Sequence, residues 1–172
     1  MHRFRTLSRL ASVAVAAAVM CTLAAPSQAK TWPVPSALDS VKDVSDLTGD
    51  DLETALVVEI NKSRDAKGLR KIWNFDACTD QLAERWGERI ARTGRFEHRD
   101  QGEVIRKCNN SWAGETLVRG TGLTPEVMVD LWLDSPGHRA ILLNPRARRA
   151  GVAITEDAQG RTIGVVNLVR HG

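Results

Sequence analysis

The stretch Thr124-Pro125-Glu126-Val127-Met128-Val129-Asp130-Leu131-Trp132-Leu133-Asp134-Ser135-Pro136-Gly137-His138-Arg139-Ala140-Ile141-Leu142-Leu143-Asn144-Pro145 carries two helix starts and one helix stop. Thr124 before Pro125 is an N-cap followed by proline at the first helical position, where the missing N–H is no loss. Ser135-Pro136 repeats that signature. A helix bearing Val127, Met128, Leu131 and Trp132 therefore hands over to a short one across 137–143, which Asn144-Pro145 terminates. C-terminal to this stretch the pattern changes period. Val152–Thr155 and Thr162–Val169 are β-rich runs, and Glu156-Asp157-Ala158-Gln159-Gly160 between them makes the turn of a hairpin. N-terminal to it are two more helices. One is signalled at Asp50, with Glu53 three residues on as a capping box, and carries Leu52, Leu56, Ile60 and Ser63 until Gly68 ends the run. The other starts near Asp76, stacks Leu82, Trp86 and Ile90 on one face beside Ala83 and Ala91, and stops at Gly94. Residues 95–122 are less regular and rich in Gly and Asn. Trp86 and Trp132 lie on apolar helix faces and read as core. Trp73 reads as packed at the turn before the second helix, and Trp112 as core or as part of a cleft. Helices first and strands last, with no βαβ rhythm, predict an α+β domain whose helices pack on a mainly antiparallel sheet.

The 172-residue chain opens with the three parts of a secretory signal. Arg3, Arg5 and Arg9 precede the apolar run Leu10–Ala25, and Ser27 and Ala29 supply small side chains before a cut after Ala29. The apolar run is too short to span a bilayer, which takes about 20 residues. Ala18-Val19-Met20 is a poor lipobox for Cys21. Residues 1–29 thus read as a signal peptide, 30–47 (with Pro33 and Pro35) as a tail or linker, and 48–172 as one domain that works outside the cytoplasm. The whole chain has 24 Lys+Arg against 21 Asp+Glu, and the signal holds three of the Arg and none of the acids. The mature domain is therefore near neutral, which removes the basic footprint a nucleic-acid partner requires. Arg146, Arg148 and Arg149 read as a solvated surface turn. Two cysteines remain after cleavage, Cys78 and Cys108, and an even count in an exported domain implies a disulfide.

The mature chain has three histidines. His171 is penultimate and reads as frayed. His98 follows a helix, His138 starts one, and Glu115 lies between them in a loop. Brought together, these three suit a divalent metal such as Zn²⁺ or general acid–base chemistry. Their spacing of 17 and 23 residues is not a metal-finger pattern. Glu115 reads equally as a carboxylate that fixes its own loop through backbone N–H groups. Ser135 reads as an N-cap rather than as a nucleophile.

Asn61-Lys62-Ser63-Arg64, Gly68-Leu69, Leu82-Ala83, Phe96-Glu97-His98, Gly114-Glu115, Trp132-Leu133-Asp134-Ser135-Pro136-Gly137-His138-Arg139 and Gly151-Val152-Ala153 occur in this order. Together they resemble the CAP superfamily (cysteine-rich secretory proteins, antigen 5 and pathogenesis-related 1) in its bacterial branch, over residues 52–169. The resemblance implies an α–β–α sandwich and a surface cleft lined by two His and two acidic residues, of which His98, Glu115 and His138 match three. The fourth falls at or near Ser135, with Asp134 adjacent, and Thr116 replaces the Asn of a Gly-Glu-Asn motif. Losing an anionic ligand weakens any Zn²⁺ site. The function expected is a secreted module, read as a monomer, whose His98/Glu115/His138 cleft binds a metal ion or an extracellular ligand: a lipid, a cell-envelope component or a protein. The rivals are a metal-assisted hydrolase with Glu115 as general base toward metal-bound water, and a purely structural domain.

Overall fold

The computed structural model describes residues 31–34 and 49–172; residues 1–29, expected as a signal peptide, and most of the expected 30–47 tail lie outside the described residues. Among the described residues five strands and five helices follow in the order β1 (Thr31–Pro33), α1 (Asp50–Asp65), β2 (Asn74–Asp76), α2 (Ala77–Thr93), α3 (Gln101–Lys107), β3 (Asn110–Gly120), α4 (Pro125–Asp134), α5 (Pro136–Leu142), β4 (Arg149–Glu156) and β5 (Thr162–His171). They form one sheet of order β1-β2-β4-β5-β3, in which only the short β2/β4 pairing is parallel. Among the described residues no helix is long and apolar enough to cross a membrane.

Alternation along β5 builds the layers. Val166 and Leu168 face Leu56, Val57, Ile60, Met128, Val129 and Trp132 of α1 and α4. Ile163 and Val165 face Ala83, Trp86 and Ile90 of α2. Because successive strand side chains point to opposite faces, the hydrophobic strand runs demand cover on both sides. The result is the expected α–β–α sandwich. At Gly151 the α2 N-terminus comes so close to β4 that a Cβ would run into the Thr79 and Asp80 backbone, so only glycine fits there. A disulfide joins Cys78, in the first turn of α2, to Cys108 at the end of α3.

The helix ends are partly as expected. Asp76 caps α2 through the Thr79 N–H, Gly94 ends it with φ 70°, and Thr124 caps α4 through the Val127 N–H. The other two caps are not. At α1 the N-cap is Gly49 without a side-chain bond, and Glu53 accepts instead from the Ile154 N–H at 3.1 Å. Ser135 precedes α5, yet its side chain caps nothing. Several further expectations are corrected by tertiary pairing. Thr31–Pro33, in the expected tail, pair with β2. Residues 110–120, expected as loop, are a strand laid along β5. Trp73 is 48% exposed rather than packed. Arg149 belongs to β4, not to a solvated turn, and His171 is not frayed: its Nε2 lies 2.6 Å from Oδ2 of the buried Asp76, with Arg149 beside both.

Candidate functional site

The residues singled out by sequence meet at the β3 edge of the sheet. His98 comes from the loop between α2 and α3, on one side of the sheet. His138 comes from α5, on the other. Their ring centroids are 5.6 Å apart. Glu115 rises from the middle of β3 between them, opposite Asn167 on β5. The three line an open cleft of ≈ 520 Å³, together with Gln101, Trp112 and Ile141 among others. Trp112 does both things open to it: it packs on the main core and lines the cleft. Ser135 also lines the cleft, freed from capping; Asp134 does not.

Glu115 is 2% exposed. Its Oε1 lies 2.9 Å from His98 Nδ1 and also accepts the Arg99 backbone N–H at 2.9 Å. An oxygen that already accepts one N–H acts as acceptor toward the imidazole too, so Nδ1 donates and Nε2 is the ring nitrogen not engaged by Glu115. Burial raises the Glu115 pKa; the Arg99 N–H and then His98 oppose that rise. Its Oε2 is buried without a partner among the described residues, as are both polar atoms of the Asn167 side chain and the Thr116 hydroxyl. Glu115 thus positions His98 and stiffens the loop that carries it.

The same geometry bears on the divalent metal that the resemblance implies. A metal ligand set needs lone pairs aimed at one point. Here the one engaged Glu115 oxygen is committed to the Arg99 and His98 N–H groups, and the other is buried. Among the described residues no group of three His, Cys, Asp or Glu is placed to hold a metal ion. The cleft offers two imidazoles, and these residues do not fit a three-donor Zn²⁺ site.

Burial, and then the charge of His98, lower the His138 pKa from its ordinary 6.5. In an NMR titration His138 therefore reaches its midpoint below that of a free imidazole. In a His98→Gln variant the midpoint moves part of the way back, because burial, the larger cause, remains. A His138 midpoint at or above the free value would contradict this arrangement.

Sequence reasoning missed the residue that holds the floor of this region in place. Arg64, at the end of α1, is fully buried. Its guanidinium donates to the backbone carbonyls of Arg70, Leu142 and Asn144, at 2.9, 2.6 and 3.0 Å. It thereby ties α1 to the end of α5, the helix that presents His138. Arg64 stood in the Asn61-Lys62-Ser63-Arg64 motif without a role of its own, and the periodicity of α1 pointed to Ser63 as the inward residue.

Residues 57–168 match the model of the cysteine-rich secretory protein family, CAP. An uncharacterised Bacillus subtilis protein, YkwD, is 29% identical over 108 residues, which are 58% of this chain and 41% of that protein. The chain thus matches less than half of that relative's length. Among solved structures, an outer surface protein of Borrelia burgdorferi superposes with a TM-score of 0.63 at 19% identity, covering 73% of this chain and 98% of that one. An extracellular Bacillus anthracis protein containing an SCP domain gives a TM-score of 0.56 at 21% identity, covering 72% of this chain and 44% of that one. The match extends across α1 to β5 and includes every residue of the cleft described above: this chain belongs to the cysteine-rich secretory protein (CAP) family.

Proposed function

We propose that this chain is a secreted binding module that captures an extracellular ligand in the His98/Glu115/His138 cleft. The observation that supports it is the buried Glu115 carboxylate holding His98 at the floor of an open, ≈ 520 Å³ cleft. A buried acceptor fixes an exposed imidazole in one orientation. Pre-orientation of that kind lowers the ordering cost of binding. Trp112 and Ile141 add apolar area, and Gln101 and Asn144 add hydrogen-bonding groups, the mixture that small-ligand sites use. A hydrolase would need Glu115 to reach a substrate or a metal-bound water. Its side chain is 1% exposed and engaged by two N–H groups, so nothing in the geometry favours that role.

The test is an NMR titration of isotopically labelled protein with a synthetic muropeptide, a lysophospholipid below its micelle concentration, and Zn²⁺. The expected result is that one of the first two shifts His98, His138 and Trp112 resonances saturably, and that a His98→Ala/His138→Ala variant loses the response. Silence from all three probes would return the chain to a purely structural role. Saturable 1:1 Zn²⁺ binding, lost in the double variant, would instead make the cleft a metal site.

A further inference from the structure

A second cavity lies on the opposite edge of the sheet. β2 is three residues long and pairs with β4 only at Arg149 and Ala150. Beyond that point no strand among the described residues lies beside the outward amides of β4. Two carboxylates take the place of the missing strand. Asp80 Oδ1 accepts the Val152 N–H at 2.9 Å and Glu53 Oε1 accepts the Ile154 N–H at 3.1 Å. Together with Asp50 and Glu84 they line a cavity of ≈ 230 Å³ whose remaining walls include Trp32 and Phe75. These two rings are stacked, with centroids 5.4 Å apart.

The electrostatics of this cavity are one-sided. The charged neighbours acting on Glu53 are Asp80, Asp50 and Glu84, and those acting on Asp80 are Glu84, Asp50 and Asp76. Burial first, then this mutual repulsion, pushes Glu53 up to about 8 and Asp80 up to about 6, each against the pull of its β4 amide. Asp80 is only 7% exposed, lines the cavity, and its Oδ2 has no hydrogen-bond or ion-pair partner among the described residues. That oxygen belongs to a side chain lining the cavity and is left for whatever occupies the cavity to engage.

We propose that this cavity is a binding site for a small organic cation, a primary or quaternary ammonium, held between the Asp80/Glu53/Glu84/Asp50 carboxylates and the Trp32–Phe75 stack. A carboxylate set alone would suit a hard metal ion. Here no three metal donors converge among the described residues, whereas an indole face attracts an alkylammonium through its π-electrons. The volume admits an ammonium with its substituents but not a folded peptide. The site is distinct from the His98/His138 cleft and does not rest on the role given to it. Cation and protons compete for the same carboxylates, so affinity rises with pH across the range in which Glu53 and Asp80 lose their protons.

The test is calorimetric titration of the purified domain with ethylammonium and tetramethylammonium chloride at pH 5 and pH 8, with NaCl and CaCl₂ at matched ionic strength as comparisons. The expected result is saturable 1:1 binding of at least one ammonium, roughly tenfold or more tighter at pH 8. Glu84→Gln and Trp32→Ala, neither of which caps β4, weaken it by about tenfold or more, with circular dichroism unchanged. No saturable ammonium binding at pH 8, or equal binding in both variants, would overturn the proposal. So would tighter binding of Ca²⁺ than of either ammonium, since that makes the cavity a metal site.

Discussion

Arg64→Ala lowers the unfolding free energy by about 3–5 kcal/mol, which is a Tm loss of roughly 10–20 °C for a domain of this size. Three backbone carbonyls lose their donor at once, and the largest buried polar side chain leaves a void. Leaving buried acceptors unsatisfied costs more than the bonds contributed. Among the described residues no carboxylate pairs with this guanidinium. Burial, and then Arg148, pull its pKa down to about 10, so it remains charged at any physiological pH. Arg64→Lys keeps the charge but presents one ammonium where a planar fork served three carbonyls, and recovers only part of the loss. Urea unfolding of the three proteins checks the order wild type, Lys, Ala. A loss below about 1 kcal/mol in Arg64→Ala would show that the α1–α5 tie is unimportant. The loss extends to the geometry of the cleft, because the same bonds hold the C-terminal end of the helix that presents His138.

Reduction of the Cys78–Cys108 bond, or the double Ser variant, costs roughly 3–4 kcal/mol by the loop-closure relation for a 30-residue separation. The effect has a location as well as a size. Arg99 reaches from the His98 loop to the Leu82 carbonyl of α2 at 2.8 Å and pairs with Glu103 of α3, while Val104 of α3 shares a buried cluster with Leu82. With the disulfide open, the His98 loop and α3 keep these contacts and the Trp86 Nε1–H bond to the Glu97 carbonyl but lose their covalent tie to α2. Amide exchange in residues 98–108 therefore accelerates on reduction by more than it does in β4 and β5. Uniform acceleration across the sheet would place the disulfide's contribution entirely in the unfolded chain.

What was legible in the sequence divides along a physical line. α2 is amphipathic with strong caps, so Leu82, Trp86 and Ile90 declared its buried face, Gly94 its end, and the cysteine count its staple. The hairpin was equally plain, because β4 and β5 are apolar runs around a tight turn. β3 was not. Its centre, Gly114-Glu115, consists of residues depleted in strands and is held as strand by ten paired positions on β5. The same tertiary override took Glu53 away from its own helix end and gave His171 a buried partner in Asp76. The cleft residues were visible through an ordered set of short motifs, but the direction of Glu115 was not. Whether a carboxylate faces a ligand or a neighbouring imidazole depends on backbone N–H groups that no side-chain pattern announces.

The short β2 leaves one further mark on how this chain behaves among its neighbours. An open strand edge is a template on which a second molecule can add its own strand, and that is how folded β-proteins begin to aggregate. Val152 and Ile154 would form such a template, yet their N–H groups are already taken by Asp80 and Glu53. An incoming strand would have to displace two carboxylates and bring its own carbonyls into a field of like charge. The acids that crowd this edge therefore act as a guard against edge-to-edge pairing between copies of the chain.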